Sequence, residues 1–134
     1  ACNGNTDGMI AYCFAEKQGF SKFGSYTGNG NADGTFVYTG FRPAFLIRKR
    51  YDATADWRMD DSKRPGYNEI PYTIFPNYSN GDTTNSGYGV DILSNGFKCR
   101  ATSINQNASG GTYIFMAFAE APFVNSNGVP CNAR

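Results

Sequence analysis

The sequence contains no histidine. That absence removes the Ser-His and Cys-His pairs that activate nucleophiles, together with the commonest neutral metal ligand. A field of one sign is also missing. Lys and Arg total 12 against 11 Asp and Glu, a formal net charge of +1, so nothing gathers DNA, RNA or an anionic lipid surface. No apolar run approaches the ~20 residues that a bilayer span needs, and the N-terminus lacks the basic-then-apolar layout of a signal peptide. Leucine is scarce, and no stretch of ten or more residues carries a capped apolar period of 3.6. Helix should be minimal. The four cysteines, at positions 2, 13, 99 and 131, are too widely spaced for metal knuckles or a disulfide-dense scaffold. Cys13 and Cys99 fall in strand-like stretches and are expected as small buried groups. Cys2 and Cys131 lie in Gly/Asn-rich terminal segments and could be bridged if the two ends meet in an oxidising compartment.

What is present describes short strands and tight turns: 16 glycines, 9 tyrosines and 11 phenylalanines among many Asn, Thr and Ser. At 134 residues the chain is the size of one domain. "GFSKFGSY", "TGNGNADG" and "TFVYTGF" read as strand, loop and strand. "RPAFLIRKRY" alternates Phe45 and Ile47 with Leu46, Arg48 and Arg50, and "WRMDD" alternates Trp57 and Met59 with Arg58 and Asp60. These two segments are expected to form a hairpin, with Trp57 in the core and Arg48–Arg50 as a solvated face or a charge-guarded edge. Residues 62–87 read as the longest loop. "VDILSNGFKCR" predicts a hairpin that turns at Asn95-Gly96 as type I′ and puts Val90, Ile92, Phe97 and Cys99 on one face. "TYIFMAFAEAPF" is apolar on both sides, as a strand covered on both faces would be. The sum is an all-β fold, a two-sheet antiparallel β-sandwich.

One pattern repeats. "MIAYCFAE" at Met9–Glu16 aligns without gaps to "YIFMAFAE" at Tyr113–Glu120, sharing Ile, Phe, Ala and Glu. Chance, first and last strands lying side by side, and the end of one module retained at the start of the next all account for it. In the third case residues 1–18 form a connector, and Ile10, Tyr12 and Phe14 are its assembly strand, able to complete a neighbouring copy by strand addition.

The segment "AYCFAEKQGFSKFGSYTGNGNADGTFVYTGFRPAFLIRKR", followed in order by "DWRMDDSKRPGYN", "GVDILSNGFKCR" and "NASGGTYIFMAFAEAPF", resembles a family of domains of bacteriophage tail and virion structural proteins, often near tail-fibre regions. The resemblance covers nearly the whole chain, departing at Cys99 and in the "VNSNGVPCNAR" tail. It implies a concanavalin-like or SPRY-like jelly-roll sandwich, a virion or extracellular location, neighbouring modules or further copies as partners, and a host-surface glycan as ligand. A start without Met and an end at "PCNAR" suit a piece of something longer.

The chemical sites are weighed within that frame. "GNGNADG" precedes a strand rather than a helix, so it reads as a turn and not a phosphate cradle. Asp33 among Asn29 and Asn31 is too poor in carboxylates for a strong calcium site, and no metal or cofactor is expected. Glu16, Glu120, Asp60, Asp61 and Asp91 are the carboxylates a glycosidase mechanism would draw on, but each is expected at the surface, so no catalytic residue is expected. Tyr67, Tyr72 and Tyr78, in the long loop among Asn and Asp, are the glycan-binding candidates, because aromatic faces stack on sugars.

Overall fold

The computed structural model describes residues 8, 10–64, 68–84 and 86–122. The expected disulfide pair Cys2 and Cys131, and the candidate Tyr67, lie outside the described residues.

The described chain is all-β. Its strands are β1 (Ser21–Thr27), β2 (Phe36–Tyr38), β3 (Pro43–Arg50), β4 (Trp57–Asp61), β5 (Tyr72–Thr73), β6 (Thr83–Thr84), β7 (Val90–Leu93), β8 (Gly96–Cys99) and β9 (Thr112–Ala119). A 3₁₀ turn at Ser86–Tyr88 is the helical structure among the described residues. Antiparallel pairing builds a four-stranded sheet in the order β1-β9-β3-β4, a three-stranded sheet β2-β8-β7, and the short pair β5-β6. The first two sheets turn their inner faces together. Tyr26, Leu46, Tyr113, Phe115 and Ala117 from the larger sheet form one cluster with Val37, Val90, Ile92, Phe97 and Cys99 from the smaller. Edge-on ring contacts join Phe97 to Tyr26 at 5.7 Å and to Phe115 at 5.5 Å, a favoured aromatic geometry. Each such buried apolar side chain contributes roughly 1.5–3 kcal/mol. Two packed antiparallel layers around one core are consistent with a β-sandwich.

The β7-β8 hairpin forms where the alternation places it, with Val90, Ile92, Phe97 and Cys99 all buried. Its turn lies one residue earlier than expected. Leu93 pairs with Gly96, so Ser94 and Asn95 are the two loop residues, and Gly96 belongs to the strand. Close approach explains that glycine: a Cβ there would strike the Val37 carbonyl oxygen and meet the Phe36 ring at 3.0 Å.

The hairpin of β3 and β4 also forms, and its faces separate as the alternation requires, but the burial is reversed. Leu46, Arg48, Arg58 and Asp60 have 0 % exposure, while Trp57 is 38 % exposed. Trp57 is therefore not core, and the Arg48–Arg50 run is neither a solvated face nor an edge: β3 lies between β9 and β4, with Arg48 inside the protein. Residues 10–16 lie in no strand, and β1 rather than this segment is the neighbour of β9, so the repeated sequence is not a pair of adjacent strands. Cys99 is buried as expected, but Cys13 is exposed, because no layer among the described residues covers its segment.

Candidate interaction surface

The reversal of β3 and β4 creates two unlike faces on one sheet. On the inner face, Asp60 Oδ2 accepts from Arg48 at 2.6 Å and Asp60 Oδ1 from Arg58 at 3.2 Å. Arg58 further donates to Gln106 Oε1 at 2.5 Å, Thr73 Oγ1 at 3.3 Å and the Tyr88 carbonyl at 2.7 Å, and lies over the Tyr88 ring at 4.9 Å. Arg48 lies over Phe97 at 5.6 Å and points Nη1 at Cys99 Sγ, 3.6 Å away, leaving Nε without a partner among the described residues. Gln106 closes the far side: its carbonyl accepts from Tyr26 Oη at 2.8 Å and its amide donates to the Gly89 carbonyl at 3.2 Å.

Burial alone would raise the Asp60 carboxyl, but the charges of Arg48 and then Arg58 more than offset it and hold it below the ordinary carboxylate range. Burial pushes Arg58 down to about 10, with Asp60 only partly compensating, so it stays charged at neutral pH. Burial tends to lower Arg48 too, but the Asp60 charge overrides it and raises this guanidinium above its usual value. Burial raises the Tyr26 hydroxyl and the Cys99 thiol, which stay neutral. Two guanidiniums therefore share one carboxylate, and the interior carries a net positive charge. Such a cluster survives because nearly every donor has a partner; removal of one member leaves an uncompensated buried ion.

The outer face is apolar. Paired positions run across the sheet: Phe23 opposite Met116, Met116 opposite Ile47, and Ile47 opposite Met59. A second row holds Ser25, Ile114, Lys49 and Trp57. Between them lies a groove of ≈ 520 Å³ walled by Phe23, Ser25, Ile47, Trp57, Ile114 and Met116. The sequence predicts a β9 covered on both sides, but only its inner residues Tyr113, Phe115 and Ala117 are buried, while Ile114 is 42 % exposed. Among the described residues a partner layer is present on one side only. Next to the groove, Phe14 rests edge-on against Phe118 at 5.7 Å and contacts Phe23 at 6.4 Å.

The remaining site residues scatter. Tyr78, 51 % exposed, packs on Phe75 at 5.5 Å, whereas Tyr72 is half-buried and paired with Thr84 in the β5-β6 ladder. Trp57 adjoins Pro76 and Asn77 in a shallow groove it shares with Ile47. Ile10, Tyr12 and Phe14 are 80 %, 82 % and 57 % exposed. Asp60, expected at the surface, is the innermost carboxylate. The others engage cations: Glu16 with Lys22, Glu120 with Arg42 and Lys63, Asp61 with Arg64, and Asp91 with Arg100 at 3.5 Å. Asp33 is drawn into ion pairs with Lys98 at 2.5 Å and Arg100 at 3.2 Å, and its neighbours Asn29 and Asn31 cap the turn with side-chain oxygens. Among the described residues no cluster of three or more metal-ligating side chains forms. Sequence reasoning missed Gln106 and the buried Asn107, which binds the 29–31 loop through Asn29 N at 3.0 Å and the Asn31 carbonyl at 2.8 Å. The legible signal was opposite charges, Arg48 and Asp60, falling on one face of two adjoining strands.

No curated protein and no solved structure matches the chain. Residues 1–122 match the model of the domain of unknown function DUF7483, and the chain belongs to that family.

Proposed function

We propose that this domain is a non-catalytic building block of a virion or fibre, a concanavalin-like jelly-roll module that works by self-association and presents a loop face for adhesion to a host surface. The supporting observation is the outer face of the four-stranded sheet: a contiguous apolar surface of Phe23, Ile47, Met59, Ile114 and Met116, with the single tryptophan at its margin. Apolar faces of this kind mark interaction sites. The carboxylates favour the non-catalytic reading. A general acid needs a raised pKa. Here the Lys22 hydrogen bond lowers Glu16, and Lys63 and Arg42 lower Glu120 against the opposing effect of burial.

The test is light scattering coupled to size-exclusion chromatography over a range of concentrations, on the wild-type chain and on Ile114→Asp. A mass that rises with concentration in the wild type and stays monomeric in the variant supports the reading. A wild-type chain that is monomeric throughout overturns it.

A second reading, glycan binding, is favoured by the exposure of Trp57 next to Asn77 and near Tyr78. Retention on a glycan array that is lost in Trp57→Ala is its test. Retention unchanged by that substitution would remove this rim as the binding place.

A further inference from the structure

We infer that the groove on the outer face takes the Ile10–Phe14 segment of a second copy of this chain. The inference rests on the reading of the domain as a self-associating module and names the partner of its surface.

Edge-to-edge strand addition is the first alternative, and the structure argues against it at the edges of the larger sheet and along β7, whereas edge strand β2 carries no such cover among the described residues. The outward side of Ser21, at the start of edge strand β1, is closed by Lys17, whose amide donates to the Ser21 carbonyl at 3.2 Å and whose carbonyl accepts from the Ser21 amide at 2.9 Å. Farther on, the Thr27 carbonyl accepts from Thr35 Oγ1 at 2.8 Å. The opposite edge of that sheet is closed by Ile74, which exchanges both 2.9 Å backbone bonds with Met59. In the smaller sheet, the Asn68 amide group closes β7 by bonding both the amide and the carbonyl of Ile92. Edges blocked by their own chain are poor templates. On the larger sheet, recognition then falls to side chains on the open face.

The segment has the right side chains in the right period. Ile10, Tyr12 and Phe14 are spaced by two, so in extended backbone they project from one side. Position by position they align with Ile114, Met116 and Phe118, the residues that β9 turns to the outer face. The segment thus repeats the outward side of β9, without a sheet behind it. Phe14 already shows what the face accepts, since its ring packs on its own counterpart, Phe118, and on Phe23, which also walls the groove. Ile10 and Tyr12 stay at 80 % and 82 % exposure although that groove lies open. A second copy supplies what the first leaves unpaired, and the exchange is reciprocal, as a closed twofold dimer requires.

Two measurements on the full chain test this. Ile10→Asp/Tyr12→Asp alters only exposed positions, so its melting curve at concentrations where both chains are monomeric should match the wild type, while self-association weakens about tenfold or more. Ser25→Cys and Tyr12→Cys, made together with Cys2→Ser, Cys13→Ser and Cys131→Ser, put one thiol on the groove wall and one on the side of the segment that faces it. Mild oxidation should give a disulfide-linked dimer on a non-reducing gel, lost when Ile10→Asp is added. A chain that associates equally well with and without the segment change overturns this inference and leaves the module reading standing. An intrachain link between the thiols introduced by Tyr12→Cys and Ser25→Cys also overturns it, by placing the segment on its own groove. A monomeric wild-type chain overturns both.

Discussion

The two faces of the four-stranded sheet are built from the same four strands and differ in almost everything else. The inner face buries two guanidiniums and a carboxylate with 0 % exposure, while the outer face leaves Trp57 and Ile114 about two-fifths exposed. A sheet assembled only for stability would put those residues the other way round, since burying apolar area is favourable and burying ions is costly. Under the proposed self-association, the inversion keeps the outer face apolar for a contact beyond the monomer. The inner face tolerates its charges because Gln106, Thr73 and the Tyr88 carbonyl complete the hydrogen bonds.

The largest expected effect breaks the inner face. Asp60→Ala leaves Arg48 and Arg58 buried without a counter-charge and should cost ~3–5 kcal/mol, measured by denaturant unfolding. Replacing Arg48, Arg58 and Asp60 together by apolar residues of similar volume should cost less than Asp60→Ala alone. If the triple variant is the worse of the two, the account of the cluster as a costly but compensated set is wrong.

Acid separates the faces next. The folded-state pKa of Asp60 is depressed, so its contribution to stability is complete above the unfolded value of ~3.9 and is lost as pH falls through the lower folded value. Unfolding midpoints should therefore drop below about pH 4, and the Asp60→Asn variant should show a shallower drop than the wild type. Association through the apolar face should hardly change between about pH 5 and 8, the range in which histidine would titrate and this chain has none. A steep pH dependence of the oligomer there would point to a charged interface instead.

Smaller still is the stability effect of Ile114→Asp, about 1 kcal/mol from lost strand propensity and cross-strand packing, alongside a large loss of association. Sulfate should strengthen the association modestly, as excluded salts favour apolar burial. Weakening by added salt would contradict an apolar contact.

Much of this fold is legible from alternation. The β7-β8 hairpin, the pairing of β3 with β4 and the separation of their faces all follow from a period of two. Which face turns inward does not follow, because Phe45, Ile47, Trp57 and Met59 make one side of that hairpin apolar while Leu46 gives the other side its own anchor. The choice is made by partners distant in sequence: Gln106 and Cys99 receive the arginines, and neither announces that role locally. The turn at Ser94-Asn95 was hidden by the stronger local signal of Asn95-Gly96, which close approach of the Val37 carbonyl reassigns to the strand. Of the candidate sites, Ile10, Tyr12 and Phe14 were legible as an apolar row of period two, and only the fold shows their exposure. The groove beside them was not, since it depends on the inverted hairpin.

Trp57 allows the central claim to be read directly, because it is the only tryptophan and stands on the groove wall. The measurement is its emission maximum and its accessibility to a soluble quencher as protein concentration rises, beside the mass from light scattering. A blue shift and growing protection that track the increase in mass are the predicted result. Mass that rises while Trp57 stays equally exposed would place the contact elsewhere and contradict the account.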